Sequence, residues 1–221
     1  MSDKYPRTFH VPESPGGTRD DRRLSSVDHF AGRRVIITEK LDGSNLCMTR
    51  DAVYARSHAA APGHPSFDAA KALHARVRDG ISPGLSIFGE WCWAVHSIRY
   101  EGIPNPPFFV FGVRDDTTAL WWAWNLVRDF IPGILGLPVV PQVGPSFIES
   151  GLDPEWYVPL AKCPSTFGGE REGLVFRVAN AFYVRDFDRS VAKYVRANHV
   201  QTDEHWTSKA VERQPLVRWI P

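Results

Sequence analysis

Short apolar runs rich in β-branched and aromatic residues recur along the chain, and several end in one polar side chain that the neighbours do not explain. Val35-Ile36-Ile37 leads into Glu39-Lys40. Leu46 to Arg50 and Val53-Tyr54-Ala55-Arg56 flank an Asp51-Ala52 turn, and Leu85-Ser86-Ile87-Phe88 runs into Gly89-Glu90-Trp91. Phe108 to Val113, Glu172 to Val178 and Val191 to Arg196 continue the series. Runs of this length bounded by turn residues predict strands. Asp42-Gly43, between two of them, is a strong hairpin signal and places Lys40 at a strand end.

Helical spacing is rarer. Phe67, Ala70, Leu73, Ala75 and Val77 predict a helix over Ser66 to Asp79, stopped by Gly80. Trp121, Trp122, Trp124, Leu126, Val127 and Phe130 predict a second, broken at Pro132-Gly133, with its tryptophans in the core. From Leu137 to Gly169 the chain is proline-punctuated and connective, with one short helix near Trp156. Residues 1–32 are rich in Pro, Gly, Ser, Asp and Arg and predict an irregular N-terminal arm lying over the domain. No repeat occurs, so residues 1–221 read as a single α+β domain built on antiparallel β-sheets with flanking helices.

Composition narrows the function. With 26 Lys+Arg against 25 Asp+Glu the formal charge is +1, so no whole-molecule basic field exists and any polyanion must meet a local patch. The charge run at Arg19, Arg22 and Arg23 is read first as a solvated face. Cys47, Cys92 and Cys163 are three in number, far apart and without a C-x-x-C pair, which argues against a disulfide framework and a zinc knuckle. These features, with no apolar leader or membrane-length run, predict a cytoplasmic protein with no membrane partner. His58, His64 and His74 match no metal-ligand spacing and are expected at the surface.

The polar exceptions on the strands carry the candidate chemistry. Lys40, Arg56, Glu90, Glu172 and Lys193 come from different strands and can converge on one cleft. A lysine amine attacks only when neutral, so Lys40 needs its ordinary value lowered, for which Arg56, Lys193 and a divalent ion would serve. Glu90 and Glu172 suit ribose hydroxyls or a hydrated Mg²⁺. Phe109 and Phe111, two apart on one strand, are expected to share a face, where one could stack on a purine.

Taken in order, these fragments resemble the covalent nucleotidyltransferase superfamily of polynucleotide ligases and capping enzymes, most closely its RNA ligase branch. Lys40-Leu41-Asp42-Gly43 looks like motif I, Arg56-Ser57 like motif Ia and Phe88-Gly89-Glu90 like motif III. Phe109 to Val113 looks like motif IIIa, Glu172-Gly173-Leu174-Val175 like motif IV and Ala192 to Arg196 like motif V. Six ordered matches weigh far more than one.

The resemblance implies an ATP-grasp-like nucleotidyltransferase domain with a nucleotide cleft between its sheets. It implies ATP and Mg²⁺ or Mn²⁺ as cofactors, and RNA with 5′-phosphate and 3′-hydroxyl ends as partner. Lys40 would take AMP covalently, Arg56 and Glu90 would hold the ribose, and Phe111, or less readily Phe109, would cover the adenine. Glu172 would hold metal-bound water, Lys193 the α-phosphate, and Glu39 and Asn45 would flank the nucleotide, with Glu90 and Glu172 as metal candidates. Two positions differ: Val195 stands where many relatives have a second lysine, leaving Arg196 as the next base, and Gly112 replaces a common acid.

Relatives in the DNA ligase and capping groups usually continue into an OB-fold domain. None follows here, which predicts a minimal RNA ligase whose strand contacts come from the domain surface, the arm, the tail or an end-processing partner protein. A DNA nick ligase, a guanylyltransferase and a non-catalytic nucleotide- or RNA-binding module remain open as alternatives. The polar tail from His199 to Trp206 reads as a hydrogen-bonded cap before a metal or strand-end site.

Overall fold

Seven strands form where the apolar runs foretold them and five short ones form where no strand was expected; most sort into two main sheets joined by a shared layer of side chains. The computed structural model describes residues 4–17, 21–56, 65–145, 147, 150–197 and 211–219. Arg19, Ser57, His58, His64 and the His199 to Trp206 tail lie outside the described residues. In chain order the strands are β1 (Phe9–His10), β2 (Val35–Lys40), β3 (Ser44–Met48), β4 (Val53–Ala55), β5 (Leu85–Trp91) and β6 (Ile103–Asn105). They continue as β7 (Phe108–Asp115), β8 (Leu120–Trp121), β9 (Gly173–Val178), β10 (Phe182–Tyr183), β11 (Val191–Val195) and β12 (Leu216–Arg218). The helices are α1 (Asp68–Val77), α2 (Trp124–Phe130) and α3 (Pro154–Ala161).

Among the described residues the smaller main sheet runs β1-β11-β9-β2 and the larger β10-β8-β7-β5-β3-β4. Pairing is antiparallel except at β1–β11 and in a minor β12–β6 pair. Strand alternation divides the smaller sheet cleanly. Ile37, Leu174, Phe176, Ala192 and Tyr194 pack with Tyr157 and Ala161 of α3. Thr38, Lys40, Val175, Arg177 and Lys193 occupy the opposite face and line a cavity. Cys47, Phe88 and Trp121 of the larger sheet meet Val191 of the smaller one in the joining layer. The larger sheet buries its other face, with Leu46, Met48, Ile87 and Val113, against Leu73 of α1 and Val127 of α2.

Four expectations are corrected. Asp42-Gly43 does not close a hairpin, because β2 pairs with β9 and β3 with β4 and β5; the dipeptide carries the chain from one sheet to the other. The arm is not wholly irregular: β1 extends the edge of the smaller sheet, and Arg23 braces the arm by donating to the carbonyls of Val11, Pro12 and Ser14. The second helix starts only at Trp124, since Leu120–Trp121 pairs as a strand, and it passes the expected break as a π turn over Ile131–Leu135. The wider π turn relieves the clash a proline imposes on an α-helix. His74 is buried rather than superficial, with its Nε2 at 2.8 Å from the Thr49 carbonyl.

Candidate active site

Each residue of the Lys40 to Gly43 crossover has a separate physical task. Lys40 ends β2 on the cleft face, whereas Leu41 is 3% exposed and belongs to the main core. The Asp42 carboxylate accepts the backbone N–H groups of Ser97 and Ile98, both at 2.7 Å, and its own N–H donates to the Tyr100 hydroxyl at 2.8 Å. Asp42 therefore clamps the loop after β5, which carries His96 to within 3.4 Å of the Ser44 hydroxyl. At Gly43 a Cβ would lie 2.6 Å from the Trp91 carbonyl oxygen, so close backbone approach excludes a side chain.

The cavity measures about 590 Å³, within the range of small-molecule sites. Lys40 Nζ lies 2.6 and 2.7 Å from the two oxygens of Glu172. Burial works to lower the Lys40 ammonium, but Glu172 and Glu90 outweigh it and hold Lys40 above the ordinary lysine value. This reverses the expected depression: the charges that act most strongly on Lys40 are acids. Burial pushes Glu172 up to about 7 despite the Lys40 charge, and pushes Glu90 up to about 8 against the pull of Lys40. Lys193 is held below its ordinary value by burial and by Lys40, while Asp21 of the arm accepts from its Nζ at 3.2 Å.

A β-bulge decides which phenylalanine reaches the cavity. Phe88 pairs with Gly112 and Gly89 with Val110, so Phe111 is an extra residue in β7 and the two-residue alternation breaks there. Phe109 stays in the core, 1% exposed, with its ring 5.0 Å from Phe167. Phe111 lines the cavity and meets Tyr5 of the arm edge-on at 4.8 Å. The expectation that both rings share a face is corrected accordingly.

The structure brings Lys40, Asn45, Arg56, Glu90, Phe111, Glu172 and Lys193 to one cavity. Asn45 Oδ1 is buried there with no hydrogen-bond partner, a group that a bound donor would satisfy. Glu39 contributes to the wall, but its carboxylate accepts from the Ser165 hydroxyl at 2.5 Å and the Thr166 N–H at 2.9 Å, holding that loop in place. Arg196 is not part of the cavity; its guanidinium pairs with Glu170 at 2.6 Å and donates to the Arg171 carbonyl.

Residues 33–195 match the RNA ligase family model. The chain belongs to the RNA ligase family. Solved structures of Naegleria gruberi RNA ligase share its fold. The structure with pyrophosphate superposes with a TM-score of 0.58 at 15% identity, covering 91% of this chain and 63% of the other. A variant with AMP and Mn gives 0.59 at 16%, over 90% and 57%, and an apo variant 0.55 at 18%, over 79% and 52%. The chain thus spans about half to three-fifths of the length of these relatives. A search of curated proteins finds no significant match.

Within this RNA ligase family member the sequence left several cavity residues unmarked. Arg177, 3% exposed in β9 among apolar neighbours, satisfies the same rule that singled out the other polar strand residues, and it donates to the Tyr5 hydroxyl at 3.2 Å. Tyr5, Thr8 and His96 come from segments with no periodicity and carried no signal. Among the described residues no cluster of three or more His, Cys, Asp or Glu able to hold a metal ion occurs. Glu172, buried, and Glu90, half-buried, both hold a proton more tightly than an ordinary carboxylate despite Lys40, and suit instead a hydrated ion completed by water and phosphate oxygens.

Proposed function

We propose that the chain is an ATP-dependent RNA ligase working through a covalent Lys40–AMP intermediate. The observation that carries this reading is the contact of the Lys40 amine with Glu172 inside a cavity that also holds Glu90, Lys193 and Phe111. Lys40 Nζ attacks the α-phosphorus of ATP, an N–P bond forms, and the bond to the pyrophosphate oxygen breaks. The ammonium proton passes to Glu172, whose burial matches its affinity for a proton to neutral pH.

Lys193 faces the same space and offers a cation for the transferring phosphate. Phe111 offers a ring for the base, and Glu90 and Arg56 offer an acceptor and donors for the ribose. A divalent ion, held by Glu90 and Glu172, would neutralise charge on the phosphates. AMP then passes to the 5′-phosphate of an RNA end, and a 3′-hydroxyl displaces it to seal the strand. These are in-line transfers in which positioning and charge neutralisation do most of the catalysis.

Incubation with α-labelled ATP and Mg²⁺ or Mn²⁺ tests the first step. The wild type acquires an acid-labile label and Lys40→Ala acquires none. Equal labelling of the two proteins, or an unlabelled wild type, refutes the reading.

A further inference from the structure

A second hollow, of about 790 Å³, lies beside the catalytic cavity. Arg34 and Arg128 line it, with Asn125, Gln142 and Asn180, and no acid occurs among its described lining residues. Arg34 and Arg128 are both exposed. The Arg34 guanidinium lies 3.6 Å over the ring of Phe147, which is itself 42% exposed. A stacked guanidinium keeps its N–H donors in its own plane, free to meet phosphate oxygens. Arg128 is paired with its neighbour Asp129 at 2.8 Å, but both side chains are more than half exposed, and such a pair is easily exchanged for another anion.

Cations, a guanidinium-aromatic stack and carboxamides together make up the chemistry that recognises single-stranded nucleic acid. Phosphates take the cations, bases stack on flat groups, and amides meet base edges. The hollow and the cavity are lined by neighbouring residues of the same chain segments. Val140 lines the cavity, Gln142 two residues on lines the hollow, and Gln142 bridges to Thr38, another cavity residue. Arg34 immediately precedes β2, and Lys40 ends it. At ~3.3 Å per residue that strand puts Arg34 about 20 Å from Lys40, which corresponds to about six nucleotides of a stacked strand at ~3.4 Å each.

We propose that the hollow around Arg34, Arg128 and Asn180 holds the single-stranded RNA several nucleotides away from the end being joined. This rests on the reading of the chain as an RNA-joining enzyme, and it adds a place where that substrate is gripped apart from the nucleotide. The grip is electrostatic and dispensable for the reaction with ATP.

The test compares 5′-phosphorylated oligoribonucleotides of about twelve and about four nucleotides by fluorescence anisotropy across a salt series, alongside labelling by ATP. In the Arg34→Ala/Arg128→Ala protein the twelve-mer binds about tenfold more weakly. Its slope of log affinity against log salt falls by about 1.4, as expected for two lost phosphate contacts on a single strand. The four-mer is unaffected by the change, and labelling by ATP proceeds as in wild type. Asn180→Asp, at an exposed turn, places a carboxylate in the hollow and weakens the twelve-mer in the same direction. Equal twelve-mer affinity and salt slope in wild type and double variant overturns the proposal, as does a wild type that binds no twelve-mer or one whose hollow proves to hold a protein partner instead. Loss of ATP labelling in the wild type would sink the ligase reading separately, while the affinity comparison would still decide the site.

Discussion

Glu172 embraces the Lys40 ammonium with both carboxylate oxygens, at 2.6 and 2.7 Å, although the two residues lie in different strand-bearing segments of the chain. The pair holds Lys40, the proposed nucleophile, in its protonated form, because the acids raise Lys40 while burial raises Glu172 to about 7. On the proposed reading, attack by Lys40 therefore requires Glu172 to be ionised and ready to take the proton.

The rate of labelling by ATP should accordingly climb with pH through about 7, where Glu172 ionises, and keep climbing as the raised Lys40 loses its proton. Glu172→Gln should remove the limb near 7 and slow labelling by about 10²-fold or more, the usual contribution of a positioned base. Rate–pH profiles of the two proteins decide this. An unchanged limb in the variant would remove Glu172 from the proton transfer.

Glu90 makes a prediction about stability whose sign is fixed. Folded, it keeps its proton to about pH 8, whereas its ordinary value is 4.5, so across that window the folded state holds a proton the unfolded state has lost. Stability then falls as pH rises. Glu90→Gln, neutral throughout, should be more stable than wild type at pH 8.5, by about 1–3 kcal/mol, with the gap closing below pH ~4.5. Chemical denaturation at the two pH values measures it, and a gap of the opposite sign at high pH would contradict the half-buried, proton-holding Glu90.

The bulge in β7 separates two phenylalanines by consequence. Phe111→Ala should weaken ATP binding about tenfold, as expected for a ring that stacks on a base at ~1–3 kcal/mol, and cost less stability than the change at Phe109 because Phe111 is only half-buried. Phe109→Ala should cost about 3–5 kcal/mol of stability by emptying core volume. Isothermal titration and denaturant melts on both proteins provide the comparison, and interchanged phenotypes would show that the rings have been assigned the wrong way round.

Gly43→Ala should disrupt the site without touching a reactive group. Its Cβ would lie 2.6 Å from the Trp91 carbonyl, forcing β5 and the crossover apart. Labelling by ATP should fall by more than about tenfold, since small misplacements of a nucleophile are costly. Full labelling in a stable Gly43→Ala protein would show that the crossover yields without moving Lys40.

Seven strands were readable as apolar runs between turn residues, and Lys40, Glu90, Glu172 and Lys193 stood out as polar residues on or beside them that packing could not explain. Arg177 obeys the same rule. The Asp42-Gly43 signal misled because a local turn preference says nothing about which strand will pair with which, and the crossover is imposed by β9. Phe109 and Phe111 could not be separated from sequence, since a bulge exists only relative to a partner strand. Arg196 faces Glu170 rather than the cavity, as alternation along β11 requires: three residues after the cavity-facing Lys193, it falls on the opposite side. Tyr5 and Asp21 reach the site from an arm with no periodic pattern, positioned by tertiary pairing alone.

That pairing joins early chain to late chain, Phe9 to Ala192 and His10 to Lys193. A ribosome releases Lys40 long before it releases β11, and contacts of such wide sequence separation form slowly. The growing polypeptide therefore carries Lys40 before the cavity around it can form. Synthesis itself delays the closing of the cavity wall until Val195 has emerged.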